Sequence, residues 1–123
     1  MRLPPLLRPR TTKQIEGGRA EDAALAYLQQ HGLKLVERNF LCKGGEIDLI
    51  MQDEQALVFV EVRMRNDRAF GGAAASITPA KQRRLINAAQ QFLQRYRMPP
   101  ACRFDVIAID GESLQWLKNV MDA

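Results

Sequence analysis

Few side chains in this sequence are suited to disulfide or zinc chemistry. The 123-residue chain contains two cysteines, Cys42 and Cys102, and a single histidine, His31. The cysteines are far apart and lack a metal-like spacing, so a zinc site is not expected. Isolated thiols are typical of a reducing compartment, and the sequence therefore predicts unpaired cysteines and a cytoplasmic location. His31 precedes Gly32 and is expected to lie at the end of a helix rather than to act in catalysis.

Long apolar runs are also missing. No stretch approaches the roughly 20 apolar residues of a membrane-spanning helix, so no membrane partner is expected. The N-terminal apolar run is short and broken by Pro4, Pro5 and Pro9, and residues 1–14 are predicted to be a flexible basic arm rather than a signal peptide. Residues 15–123 are expected to form one globular domain, because 46% apolar and 26% charged residues are ordinary for that class.

Acidic residues are absent from two segments. Residues 1–14 carry four basic side chains and no acid, whereas the remainder holds 14 basic and 14 acidic residues. Residues 79–104 also lack acids and contain six basic residues: Lys81, Arg83, Arg84, Arg95, Arg97 and Arg103. A basic segment beside a separate acidic cluster suits a protein that binds a polyanion and a cation together. A solvated helix face is the alternative interpretation of the basic segment.

Hydrophobic periodicity and turn residues predict a mixed sheet flanked by helices. Thr78 and Pro79 are typical of a helix start, and residues 65–77, rich in glycine and alanine, are expected to form a mobile loop. The predicted order is α-β-β-β-α-β-β, an α/β architecture. Its elements are a helix over 13–31, strands over 33–41, 46–51 and 56–65, a helix over 79–96, and strands over 103–109 and 113–118.

Two predicted strands place carboxylates close together. Alternation puts Glu46 and Asp48 on one face of their strand and Ile47 and Leu49 on the other. The next strand carries Glu61 at the end of a nearly continuous apolar run, which is typical of a strand covered on both sides.

Pairing of these two strands across their short connection would bring Asp48 towards Glu61. Arg63 shares the face of Glu61. Two neighbouring carboxylates destabilise a fold unless a cation, a proton or an arginine lies between them. The residues alone therefore leave two interpretations open, a structural network with Arg63 and a site for a divalent ion.

Several short motifs together resemble the YraN-like family of bacterial proteins. The resemblance covers about residues 15–118 and is carried by Gly18–Glu21, the Gly45–Ile50 segment, the Val58–Arg63 segment, Arg103–Val106 and the helix that contains Lys81. That family is similar to the archaeal Holliday junction resolvases. The resemblance implies a restriction-endonuclease-like fold of the PD-(D/E)xK type.

The resemblance also implies roles for individual residues. Asp48 corresponds to the Asp of the motif, Glu61 to its (D/E) and Arg63 to its Lys, while Glu21 matches a carboxylate on the first helix. Hard oxygen ligands select Mg²⁺ or Mn²⁺. The expected ligands are Glu21, Asp48, Glu61 and the carbonyl group of Val62.

The sequence departs from the motif at two positions. Ile47 replaces the motif's Pro, whose contribution is backbone geometry. Arg63 replaces its Lys, and an arginine stays protonated, so it can bind the scissile phosphate but cannot act as a base. General-base catalysis then falls to Glu46 or to water activated by the ion. Glu46 follows Gly45 at a strand start, and simple solvation is its alternative role.

A DNA-binding surface is expected beside this site. Its predicted contacts are Lys81, Arg83, Arg84 and Arg65, with solvated side chains as the alternative. The first functional hypothesis is an endonuclease for branched DNA. Branched junctions are two-fold symmetric, so cutting both arms would favour a homodimer. The second is a DNA-binding accessory protein of recombination or repair that cuts weakly or not at all and acts with a protein partner. The third is a purely structural acid network.

Overall fold

The computed structural model describes residues 12–65 and 77–121, with the backbone alone for residues 12–17 and Arg65. Residues 1–11 of the predicted basic arm and residues 66–76 of the predicted loop lie outside this part, whereas residues 12–14 of that arm belong to the first helix. The described residues form two helices and five strands: α1 Thr12–Gln30, β1 Lys34–Cys42, β2 Gly45–Asp53, β3 Ala56–Arg65, α2 Pro79–Leu93, β4 Cys102–Asp110 and β5 Ser113–Leu117. The predicted element order is confirmed.

The five strands form one mixed sheet in the order β1-β2-β3-β4-β5. Strands β1, β2 and β3 pair antiparallel, β3 pairs parallel with β4, and β5 closes the sheet antiparallel to β4. The parallel step is made through α2, since a parallel connection needs a crossover. The sheet is the helix-flanked mixed sheet that the resemblance implies. None of the helices in residues 12–65 and 77–121 is long and apolar enough to cross a membrane.

The helices cover opposite faces of the sheet. Helix α1 packs Ala24 and Leu28 on a cluster completed by Leu33, Leu49, Met51, Val58, Val60 and Ile107. Helix α2 packs on a second cluster whose largest side chains are Phe59, Phe92 and Phe104. Strand β3 supplies residues to both clusters, so it is buried on both sides, as its apolar sequence predicts.

The ends of the helices follow local sequence signals. Gly32, at φ +90°, ends α1 in the left-handed conformation. Thr78 caps α2, accepting a hydrogen bond from the Lys81 N–H at 3.2 Å. Helix α2 ends at Leu93 rather than at residue 96 as predicted. The N–H groups of Arg95 and Tyr96 bond three residues back, so the chain leaves the α-helix in tighter turns.

Strand β2 changes face at Asp48, which the simple alternation did not predict. Ile47 packs in the α2 cluster and Leu49 in the α1 cluster, so the expectation that they share a face is wrong. Opposite this point on β1, Asn39 takes a positive φ of 54°, a conformation that Asn tolerates better than most residues. The β2–β3 ladder ends at Leu49–Val60, so before Leu49 strand β2 pairs with β1 alone.

The β1–β2 turn is attached tightly to α2. A Cβ atom on Gly45 would lie 2.3 Å from the Arg84 carbonyl oxygen, so only glycine permits this approach. The side-chain amides of Asn87 and Gln91 both donate to the Lys43 carbonyl, at 3.1 and 2.9 Å. These contacts hold the β1–β2 turn and the start of β2 against α2 between Arg84 and Gln91.

Candidate functional site

Asp48 and Glu61 meet where β2 and β3 separate. The antiparallel ladder ends at Leu49–Val60, and Asp48 and Glu61 are the next residues on the two strands. The Val62 N–H donates to the Asp48 carboxylate at 2.8 Å, so the side chain of Asp48 bridges the gap between the strands. The two carboxylates are thus brought together by topology, as the sequence predicts.

Both carboxyl groups resist ionisation. Burial raises the pKa of Asp48 to about 6 against the Val62 hydrogen bond, and the charges of Glu21 and Glu46 raise it further. Burial and then the charge of Asp48 raise the pKa of Glu61 to about 7. Burial thus disfavours ionisation of both carboxyl groups, and the charge of Asp48 further disfavours ionisation of Glu61. Perturbed pKa values of this kind are common at functional sites.

Arg63 does not neutralise this pair. Its guanidinium lies 3.6 Å from Glu61 Oε1 and lowers the pKa of Glu61, but burial and Asp48 outweigh this effect. Among the described residues, the structural network proposed as an alternative therefore compensates the two carboxylates only in part. Arg63 and Glu61 share a face of β3, as predicted from alternation.

Asp105 is a buried carboxylate whose charge is compensated by hydrogen bonds, in contrast to Asp48 and Glu61. It is 1% exposed and lies on β4 beside Trp116. Arg103 Nε donates to both of its oxygens at 3.1 Å, Trp116 Nε1 donates at 3.0 Å and the Asn119 N–H at 2.9 Å. This network fixes β4 to β5 and the following turn, a structural role. Trp116 thus packs and donates within the fold.

Glu21 lies near Asp48 but is already held by other residues. Arg38 Nε donates to its carboxylate at 3.2 Å, and the Asn39 amide, with its nitrogen turned inward, donates to both oxygens at 3.0 and 3.2 Å. Its charge still acts on Asp48. Sequence reasoning missed Arg38 and Asn39. The one sequence signal for these contacts is Asn39 itself, because asparagine is uncommon inside a strand.

Three cations line a pocket beside Glu61, and Asp48 is not among the residues that line it. This pocket, on the α2 side, is lined by Glu46, Glu61, Arg63, Lys81, Arg84 and Leu85. Arg84 lies 3.8 Å from Glu46 at the exposed rim. Arg83 is exposed, and it is not among the residues that line the pocket. Arg65 ends β3, and its side chain lies outside the described part of the chain.

The remaining candidates lie apart from this pocket. His31 is exposed just after α1, with Nδ1 2.8 Å from the Tyr27 carbonyl oxygen. Cys42 and Cys102 are unpaired thiols. Among the described side chains, no group of three or more His, Cys, Asp or Glu residues forms a ready-made metal shell. A hydrated ion on two carboxylates is the arrangement that these residues allow.

The raised pKa values predict how stability depends on pH without metal. Between the ordinary values of 3.8 and 4.5 and the folded values of about 6 and about 7, the folded protein binds protons that the unfolded chain has released. The contribution of this pair to the free energy of unfolding therefore falls as the pH rises through that range. Thermal unfolding in EDTA at pH 5 and pH 8 should show this loss relative to an Asp48→Asn, Glu61→Gln double variant. Parallel pH profiles for the two proteins would contradict it.

Comparison with known proteins agrees with the resemblance seen in the motifs. The family described as "Uncharacterised protein family UPF0102" matches residues 20–109, which include every residue of the pocket. A UPF0102 protein of Janthinobacterium sp. (strain Marseille) is 69% identical over the full length of both chains, and one of Herminiimonas arsenicoxydans is 67% identical over the full length of both. One of Ralstonia pickettii is 59% identical, covering 90% of this chain and 93% of the relative. The chain belongs to the UPF0102, or YraN-like, family.

Proposed function

We propose that this protein is a metal-dependent endonuclease that hydrolyses phosphodiester bonds in branched DNA. One observation carries the proposal: Asp48 and Glu61 lie side by side, partly buried, at a strand opening, and among the described residues no hydrogen-bond network of the kind around Asp105 compensates them. Holding two partly buried carboxylates next to each other is costly for stability. A cation that they hold for catalysis would account for that cost.

The donor atoms suit Mg²⁺ or Mn²⁺. Asp48, Glu61 and the Val62 carbonyl group offer hard oxygens, and Mg²⁺ is often bound by one or two carboxylates while it keeps several waters. Glu21 would contribute negative charge near Asp48 from its place beside Arg38. When bound, the ion would supply Lewis acidity and neutralise charge on the phosphodiester.

The surrounding residues have separate roles in this proposal. Arg63 binds the phosphate, because its guanidinium stays charged and faces the pocket. Glu46 is exposed at the pocket rim, where it can accept a proton from the attacking water and release it to solvent. Arg83 and Arg84 on α2, together with Arg65 at the end of β3, would contact neighbouring phosphates of the DNA backbone.

Substrate choice and assembly are the finer parts of the proposal. The likeness of the family to the archaeal Holliday junction resolvases favours four-way DNA. A junction is two-fold symmetric, so a homodimer would place one site on each of two strands. A recombination or repair protein would then be the expected partner.

Cleavage of defined DNA tests the proposal. Purified protein with Mn²⁺ or Mg²⁺ should nick a synthetic four-way junction in preference to linear or flapped DNA of the same sequence, and EDTA should stop the reaction. Paired nicks across the junction, with the mass of a dimer in solution, would support the symmetric assembly. Tight binding of the junction without cleavage in either metal would refute the nuclease and favour the DNA-binding accessory protein. Arg63 favours this second function, because an arginine in place of the motif's lysine cannot act as a base.

A further inference from the structure

Lys81 reaches the carboxylate pocket from a different element. Arg63 enters the pocket from β3, whereas Lys81 enters from the first turn of α2, and both line it together with Glu61. Two cations from separate elements thus face one buried carboxylate. A single phosphate group placed there would be within reach of both.

The position of Lys81 follows from how α2 is attached. Thr78 caps the helix through the Lys81 N–H, which fixes the first turn. Gly45 lies directly against the Arg84 carbonyl, and Asn87 holds the Lys43 carbonyl at 3.1 Å. These contacts attach α2 to the β1–β2 turn and so hold the helix that carries Lys81 beside the start of β2.

The electrostatics agree with a side chain turned inward. The charge of Lys81 lowers the pKa of Glu61, and burial followed by the charge of Arg63 lowers the pKa of Lys81 itself. A fully solvated lysine would sense these groups weakly because solvent screens exposed charges. Arg83, two residues further on, is exposed. On α2, Lys81 therefore faces the pocket, whereas Arg83 lies outside it.

We propose that Lys81 is a catalytic residue, whose ammonium group contacts a non-bridging oxygen of the scissile phosphate beside Arg63. This inference depends on the proposed nuclease function. In the reaction, the oxygen of water bonds to phosphorus, the ester P–O bond breaks, Glu46 accepts the water's proton and the leaving oxygen is protonated from solvent. Lys81 stays protonated throughout and stabilises the charge on the phosphoryl oxygens. Nothing is oxidised or reduced.

Loss of Lys81 should reduce the cleavage rate much more than the affinity for DNA. For Lys81→Ala, single-turnover cleavage of the four-way junction at saturating protein should slow by about 100-fold, the loss typical of one preorganised charge-stabilising contact. Affinity for the same junction, measured by fluorescence anisotropy with Ca²⁺ in place of Mg²⁺, should fall by less than about fivefold, because one accessible ion pair contributes at most about 1 kcal/mol. Lys81→Arg, which keeps the charge, should recover part of the rate.

Two further variants make this test specific. Arg83→Ala is expected to weaken affinity and reduce its salt dependence, as an outer phosphate contact should. Lys34→Ala removes an exposed lysine at the start of β1 and should change neither rate nor affinity. A Lys81→Ala protein that keeps its melting temperature and cleaves at the wild-type rate when saturated would overturn the inference alone. Absence of cleavage by the wild type would overturn the nuclease function, and the inference with it.

Discussion

Replacing Asp48 by asparagine is expected to abolish metal-dependent cleavage while leaving the protein folded. Loss of a metal ligand removes several kcal/mol of transition-state stabilisation, and about 4 kcal/mol corresponds to roughly a thousandfold in rate. The asparagine has the same shape, can still accept the Val62 hydrogen bond and removes one of two repelling charges. Single-turnover cleavage and thermal unfolding at pH 8 without metal measure the two effects, and the melting temperature should be equal to or above that of the wild type.

Matched variants make this prediction specific to the site. Glu61→Gln should lose activity to a similar extent, because its pKa is raised by the same burial and by Asp48. Asp22→Asn alters an exposed carboxylate that pairs with Arg38 on the neighbouring surface, and it should cleave normally. Wild-type rates in both the Asp48 and Glu61 variants would mean that the observed cleavage comes from another nuclease.

Replacing Asp105 by alanine is expected to have the opposite consequence, a large loss of stability. Each buried donor that loses its acceptor costs about 1–3 kcal/mol. Here three donors would lose their acceptor, Arg103 Nε, the Trp116 indole and the Asn119 N–H, while Arg103 Nη1 keeps its ion pair with Asp53 at 3.1 Å. Urea unfolding monitored by circular dichroism measures the change, with the slope of the transition as a check on two-state behaviour.

Asp22→Ala is the control for this second prediction. It also removes one partner of an arginine, but that pair is exposed and should contribute no more than about 1 kcal/mol. If the free energy of unfolding of Asp105→Ala lies within about 1 kcal/mol of the wild-type value, roughly the effect of an exposed pair, the network around Asp105 does not stabilise the fold.

The two predictions rest on one physical contrast. Asp105 is buried with four donated hydrogen bonds, and its removal is expected to harm the fold. Asp48 and Glu61 are partly buried with raised pKa values of about 6 and about 7, and neutralising them is expected to leave the fold intact. Burial of a carboxylate alone therefore does not identify a functional residue in this protein. A functional carboxylate is identified when hydrogen bonds and ion pairs do not compensate the cost of burying its charge.

Local patterns in the sequence were sufficient for most of the architecture. The apolar run of β3, the Thr78–Pro79 helix start and the Gly32 helix stop each act within a few residues, so element order and the facing of Glu61 and Arg63 could be predicted. The end of α2 was placed too late because Arg95 and Tyr96 continue the chain in turns that helical periodicity does not distinguish.

The sequence by itself determined which elements form and that Asp48 and Glu61 lie on neighbouring strands. Only the tertiary structure decided how these groups are surrounded: the positive φ of Asn39 opposite Asp48, the ion pair of Glu21 with Arg38, and the approach of Lys81 to the pocket from α2. The contacts of Glu21 and Lys81 join residues far apart in the chain, and the position of α2 depends on its close packing against Gly45. Periodicity reports which face a side chain takes, whereas compensation of a buried charge depends on every element packed around it.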